Sequence, residues 1–187
     1  MDLFVIILVF VLIVLYVKNH MSEVTYVKAK NDDQTFLVRR LPDKQQAADL
    51  LADITNDLTK FVNQLTAKYP ANENIKRLYR NFNPKNVSEG SVNSGYTSYS
   101  VNKGEKMVLC IRQKDEKNSF VDKNVILYVA IHELAHLATK SVGHDDSFWT
   151  NFKFILGEAV EMGIYKKVDF SKAPASYCGI NITSSVI

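Results

Sequence analysis

Residues 125–138 read "VILYVAIHELAHLA", an almost wholly apolar run with neither glycine nor proline. Its periodicity and length predict a helix, over 121–140, that packs against neighbours on most of its surface. Three polar side chains, His132, Glu133 and His136, interrupt it. A polar group taken into a core is costly unless it finds a partner there. Any fold open to this chain must therefore bring such partners to the middle of this one segment.

The spacing of the three residues suggests what the partner is. His132 and His136 are four apart, so on a helix they share a face about one turn apart. Two imidazoles so placed can reach a single cation at Zn–N distances of about 2.0–2.1 Å. Glu133, beside the first histidine, is placed to address a metal-bound water rather than the metal, as a general base does. This is the chemical content of the HExxH pattern. The plainer alternative is an ordinary helix with two exposed histidines and a glutamate. A catalytic zinc takes three protein ligands and keeps one position open. His144 is the first candidate for the third, because "KSVGH" lets the chain leave the helix and bend at Gly143. Glu158, on the following helical stretch 147–162 with Glu161 near it, is the alternative. Asp145 and Asp146 precede that stretch and suit its N-terminal cap.

The remaining chain reads as a small mixed domain. Hydrophobic residues make up 47% and charged ones 23%, enough apolar surface for a core. The net charge of +3 neither demands nor excludes an anionic partner. "VTYVKA" and "TFLVRR" read as extended pieces across the turn-like "KNDDQ". After Pro42, apolar residues from Ala47 through Leu50, Leu51, Ile54, Leu58, Phe61 and Val62 to Leu65 predict a long helix ended by Pro70. "NENIKRLYRNF" is a second helical piece, and its "KRLYR" reads as a solvated face. "VSEGSVNSGYTSYSV" looks like loop or edge, and "NKGE" centres a hairpin. The tail, "KAPASYCGINITSSVI", has no clear period. The expected class is α+β, with helices packed on a small sheet or hairpin.

The N-terminus departs from this pattern. "LFVIILVFVLIVLYV", residues 3–17, has no charge and no proline. As a helix it measures about 22 Å against a hydrocarbon core of about 30 Å, so spanning requires thinning or snorkelling by Lys18. Its flanks lack the basic start and small-residue end of a signal peptide. The expectation is a single-pass transmembrane anchor over 1–20, with residues 21–187 as the working domain. Lys18, Lys28 and Lys30 follow the run, which puts that domain on the cytoplasmic side. Cys110 and Cys178 are far apart with no CxxC, so free thiols are the default and one bridge the alternative. The sequons at Asn86 and Asn181 would go unused on that side.

"HELAH", a seven-residue spacer and "HDDSFW" resemble the WLM domain family of zinc metallopeptidases, relatives of the SprT-like proteases. The likeness lies in residues 121–165, with a longer spacer than the family's usual one and Leu137 where asparagine is frequent. The metzincin pattern does not fit, since Thr139 and Val142 stand where it needs glycine and histidine. The resemblance implies a minimal zincin-like fold and Zn2+ held by His132, His136 and His144. It makes Glu133 the catalytic base and puts Phe148 and Trp149 behind the site. Tyr177 in "SYCG" is a candidate oxyanion stabiliser, with a packed tail aromatic as its ordinary alternative. The implied activity is hydrolysis of peptide bonds in a polypeptide bound along the edge of the small sheet. Association with nucleic acid follows from the resemblance alone, for no zinc ribbon or aromatic–basic cluster is present. The rival reading is a non-catalytic membrane-anchored adaptor with a structural or vestigial metal site.

Overall fold

The computed structural model describes residues 3–20, 22–92 and 95–187. In chain order the elements are α1 (Leu3–His20), β1 (Val24–Lys28), β2 (Thr35–Arg39), α2 (Lys44–Lys68), α3 (Glu73–Asn81), β3 (Val87–Glu89), β4 (Tyr99–Val101), β5 (Lys106–Leu109), α4 (Lys123–Ala138), α5 (Asp146–Glu161), β6 (Ala175–Tyr177) and β7 (Ile180–Ile182). The apolar run at 125–138 lies in α4, which Asp122 caps by accepting from the amides of Asn124 and Val125. It is apolar on every side because α2, α3, α5, β4 and β5 all pack around it. Ile126, Ile131, Leu134 and Ala135 are fully excluded from solvent, each large one stabilising the fold by about 1.5–3 kcal/mol.

The α+β class is as expected, and α2 carries the stripe read at 47–65. Ala47, Leu51, Ile54, Leu58, Phe61 and Leu65 are fully buried, while Leu50 is only partly so. The first two extended pieces pair as an antiparallel hairpin, Val24 opposite Arg39 and Lys28 opposite Thr35. The "NKGE" turn joins β4 to β5, also antiparallel. Two features go beyond the sequence reading. "VSE", read as loop or edge, is β3 and runs parallel to β5 in a sheet ordered β3-β5-β4. The tail, without a period, forms the β6–β7 hairpin. Both strands have three residues, too short to display an alternation.

Arg112 joins distant parts of this frame. Its guanidinium, 1% exposed, bonds Glu89 Oε1 at 2.9 Å and Asp43 Oδ2 at 2.6 Å, and its carbon lies 4.1 Å from the Phe120 ring centroid. A buried charge of this kind is tolerable because carboxylates meet it directly.

The expectation for residues 1–20 changes here. α1 forms, and its side chains from Leu3 to Val17 remain exposed rather than joining the core. Among the described residues, however, no helix is long and apolar enough to cross a membrane; residues 1 and 2 lie outside them.

The default of free thiols is also corrected. Cys110 and Cys178 form a disulfide with Cα atoms 6.3 Å apart, although 68 positions separate them in sequence. Folding back of the tail brings them together, which spacing alone could not reveal. Closing so long a loop restricts the unfolded chain, so Cys178→Ser is expected to cost about 2–4 kcal/mol. Equilibrium urea denaturation measures this, and a reductant should bring the wild type to the same midpoint while leaving the variant unmoved.

Candidate metal centre

The C-terminal half of α4 and the loop after it bring three imidazoles to one point. His144 Nε2 lies 3.0 Å from His132 Nε2 and 3.2 Å from His136 Nε2. All three ligand atoms fall within 4.8 Å of one another, so the group could hold a metal ion. The rings are fixed from behind by α5. Phe148, fully buried, stacks on His136 at 4.2 Å and meets the edges of His132 and His144 at 4.8 and 4.7 Å. Trp149 stacks on His144 at 5.6 Å.

The donor set suits a cation. Tetrahedral zinc with bonds of about 2.0–2.1 Å requires nitrogen separations of about 3.3 Å, close to those observed. Ligand imidazoles must also be neutral. Burial first, then the neighbouring His136 and His144, lowers the pKa of His132 to about 3. Burial, then His144 and Lys103, lowers that of His136 to about 4.

Glu133 is 5% exposed and lines the same cleft of about 620 Å³ as the three histidines. Burial raises its pKa to about 7, opposed by hydrogen bonds from the Ser100 side chain and backbone. Such a carboxyl is poised to exchange a proton near neutral pH. Ser98, just before β4, and Ser100 within it both line the cleft. The serine-rich stretch read as loop or edge held no signal for this role, because serine is common in loops for unrelated reasons.

The other candidates lie apart from the cluster or beside it. Glu158 is turned to other partners: Lys68 Nζ at 2.7 Å and the Tyr69 hydroxyl at 2.6 Å hold its two oxygens. It is therefore set aside as a third ligand, and Glu161 joins the same lysine at 3.1 Å. Asp145 caps α5, accepting from the Phe148 amide at 2.9 Å, and Asp146 begins the first turn. Tyr177 lines the cleft but is 1% exposed. Its hydroxyl lies 2.5 Å from Ser98 Oγ, and burial raises its pKa. "KRLYR" is not simply a solvated face, for Arg77 reaches the end of α4 and donates to Ala138 O at 2.7 Å. Asn81 does the same to Leu137 O at 3.0 Å.

The sequence profile of the WLM domain matches residues 30–184. This chain belongs to the WLM domain family. The match extends well beyond the 121–165 segment in which the resemblance was first legible. This WLM domain is 32% identical over 181 residues to an uncharacterized protein of Acanthamoeba polyphaga mimivirus, covering 91% of this chain and 88% of that protein. It is 26% identical over 145 residues to an uncharacterized protein of Invertebrate iridescent virus 6, covering 75% and 81%. A crystal structure of a Wss1 mutant from Saccharomyces cerevisiae superposes with a TM-score of 0.50 at 20% identity, over 68% of this chain and 91% of that one. At that identity the likeness establishes the fold.

The lowered histidine pKa values make metal-free WLM domain sensitive to acid. Unfolding releases His132 and His136 to their ordinary pKa of about 6.5. The unfolded chain then binds protons that the folded one refuses. Stability contributed by the neutral pair is present above pH 6.5 and falls away as pH drops toward 4. Denaturation midpoints of chelator-treated protein, compared with the His132→Gln/His136→Gln variant from pH 7 to 5, should show a steeper decline in the wild type.

Proposed function

We propose that this WLM domain is a zinc-dependent metallopeptidase that hydrolyses peptide bonds in polypeptide substrates. The reading rests on one observation: three imidazole nitrogens converge beside a buried glutamate at the floor of an open cleft. His132, His136 and His144 would hold the zinc, which when bound would supply the Lewis acidity that polarises a scissile carbonyl and acidifies an attacking water. Glu133 accepts the proton from that water on a carboxylate oxygen and passes it to the leaving amine. Ser100 favours the ionised form of Glu133 and so prepares it as the base. Phe148 and Trp149 keep the rings in register by packing.

The sheet supports a place for the substrate. β4 is at the edge of the β3-β5-β4 sheet and borders the cleft, so an extended polypeptide could add to it through main-chain hydrogen bonds. Tyr177 enters as the candidate stabiliser of the developing oxyanion, through a hydroxyl now shared with Ser98. Attachment to a lipid surface through α1 is a further part of the proposal, supported by its exposed apolar side chains from Leu3 to Val17. Flotation with phosphatidylcholine vesicles should carry the full chain and leave one lacking residues 1–20 behind; equal flotation of both would remove α1 from this role.

The catalytic reading is tested with full-length protein, a labelled unfolded polypeptide and metal analysis. One zinc per chain, cleavage lost to a chelator and cleavage restored by added zinc are expected. Glu133→Gln should keep the zinc and lower the rate about 10²- to 10⁴-fold. Zinc without any cleavage would instead leave a non-catalytic adaptor with a structural site.

A further inference from the structure

The β4–β5 turn carries a lysine whose donors all point away from solvent chemistry and into backbone. Lys103 Nζ bonds three carbonyl oxygens, of His136 at 3.1 Å, Thr139 at 2.8 Å and Ser141 at 2.5 Å. An ammonium has three N–H donors, so this one is fully committed. The three acceptors differ in kind. His136 is itself in the histidine cluster, Thr139 caps the C-terminus of α4, and Ser141 belongs to the loop that leads to His144. One cation thus ties the backbone of the second histidine to the segment that delivers the third.

The turn is built to hold this lysine in place. Asn102 and Lys103 adopt positive φ values of 45° and 56°, a left-handed pair usual in tight hairpin turns, which asparagine takes readily and lysine seldom does. Gly104, with φ of 111°, is pressed so closely on the end of α3 that a Cβ there would lie 2.0 Å from Asn81 O. Only glycine fits that approach. The loop is open at its tip, where Val142 is 89% exposed and a Cβ on Gly143 would meet nothing within 4 Å; before the tip, the Ser141 side chain faces the Asp145 carboxylate.

Comparison with Arg77 isolates the function of Lys103. Arg77 and Asn81 also cap this helix end, but their acceptors, Ala138 O and Leu137 O, lie within α4. They support the helix and do not reach the loop. Thr139 is held separately, its hydroxyl donating to Ala135 O at 2.7 Å and accepting from Asn151 at 2.9 Å. Lys103 alone among these groups bonds the chain at Ser141.

We propose that Lys103 is a positioning residue of the metal centre, clamping the 139–143 loop to the end of α4 so that His144 meets His132 and His136 at one point. This rests on the metal reading above. The test uses the full chain and Co2+ as probe, read by competition with a chromophoric chelator and by visible absorption. Lys103→Met should lose about 10- to 100-fold in Co2+ affinity, as supporting partners of metal ligands commonly do. Its spectrum should move toward that of His144→Ala. Arg77→Met removes a cation from the same helix end, so it should lower stability to urea yet keep the wild-type spectrum and affinity. Equal losses in both variants, or wild-type affinity in Lys103→Met, would overturn the positioning role while the three-histidine site stood. A wild-type chain that binds no Co2+ would fell the metal reading and this one together. If Lys103→Met does not fold, Lys103→Gln, which keeps a neutral donor, replaces it with an expected loss of about tenfold.

Discussion

Packing of α4 leaves two imidazoles half-buried and a carboxyl buried at the cleft, and much of the structure is arranged around that fact. An unpaired polar group in such a place costs of the order of 1–3 kcal/mol. The rings answer it by facing a third imidazole from the loop beyond the helix, with Phe148 stacked behind them. Glu133 has the Ser100 hydroxyl and amide, which offset its burial only in part. The same low exposure that makes these groups expensive to keep is what tunes them, since it holds the histidines neutral and leaves the glutamate able to exchange a proton near pH 7.

A helix that ends at such a site must also end in a defined way. Its last carbonyls are otherwise orphaned, and they carry the negative end of the helix dipole. Arg77, Asn81 and Lys103 converge on them from α3 and the β4–β5 turn. Two of these three are cations, the charge that the C-terminus of a helix favours. Arg77 and Asn81 stop at the helix, and Lys103 carries the same capping on to the loop at Ser141.

The opposite wall of the cleft comes from the end of the chain. Tyr177, Ile180 and Ile182 line it, and the Cys110–Cys178 bridge fastens that hairpin to the segment after β5. Gln113 adds hydrogen bonds to Ser176 O and the Cys178 amide. The bridge also bears on the compartment. Disulfides persist in oxidising surroundings, so the bridged pair gives no support to a cytoplasmic side. The side read from Lys18, Lys28 and Lys30 presupposes a spanning helix, and among the described residues no helix is long and apolar enough to cross a membrane.

By itself the sequence determined what depends on near neighbours. The helical period of α2 and α4, the pairing of His132 with His136, the cap at Asp145 and the hairpin at "NKGE" all arise within a few residues and were legible for that reason. Tertiary structure decided whatever joins positions far apart: the parallel partner of β3, the bridge across 68 positions, the capture of Glu158 by Lys68 and Tyr69, and the reach of Lys103 to the end of α4. Long side chains and three-residue strands take their roles from whichever surface lies opposite, and only folding brings that surface into place.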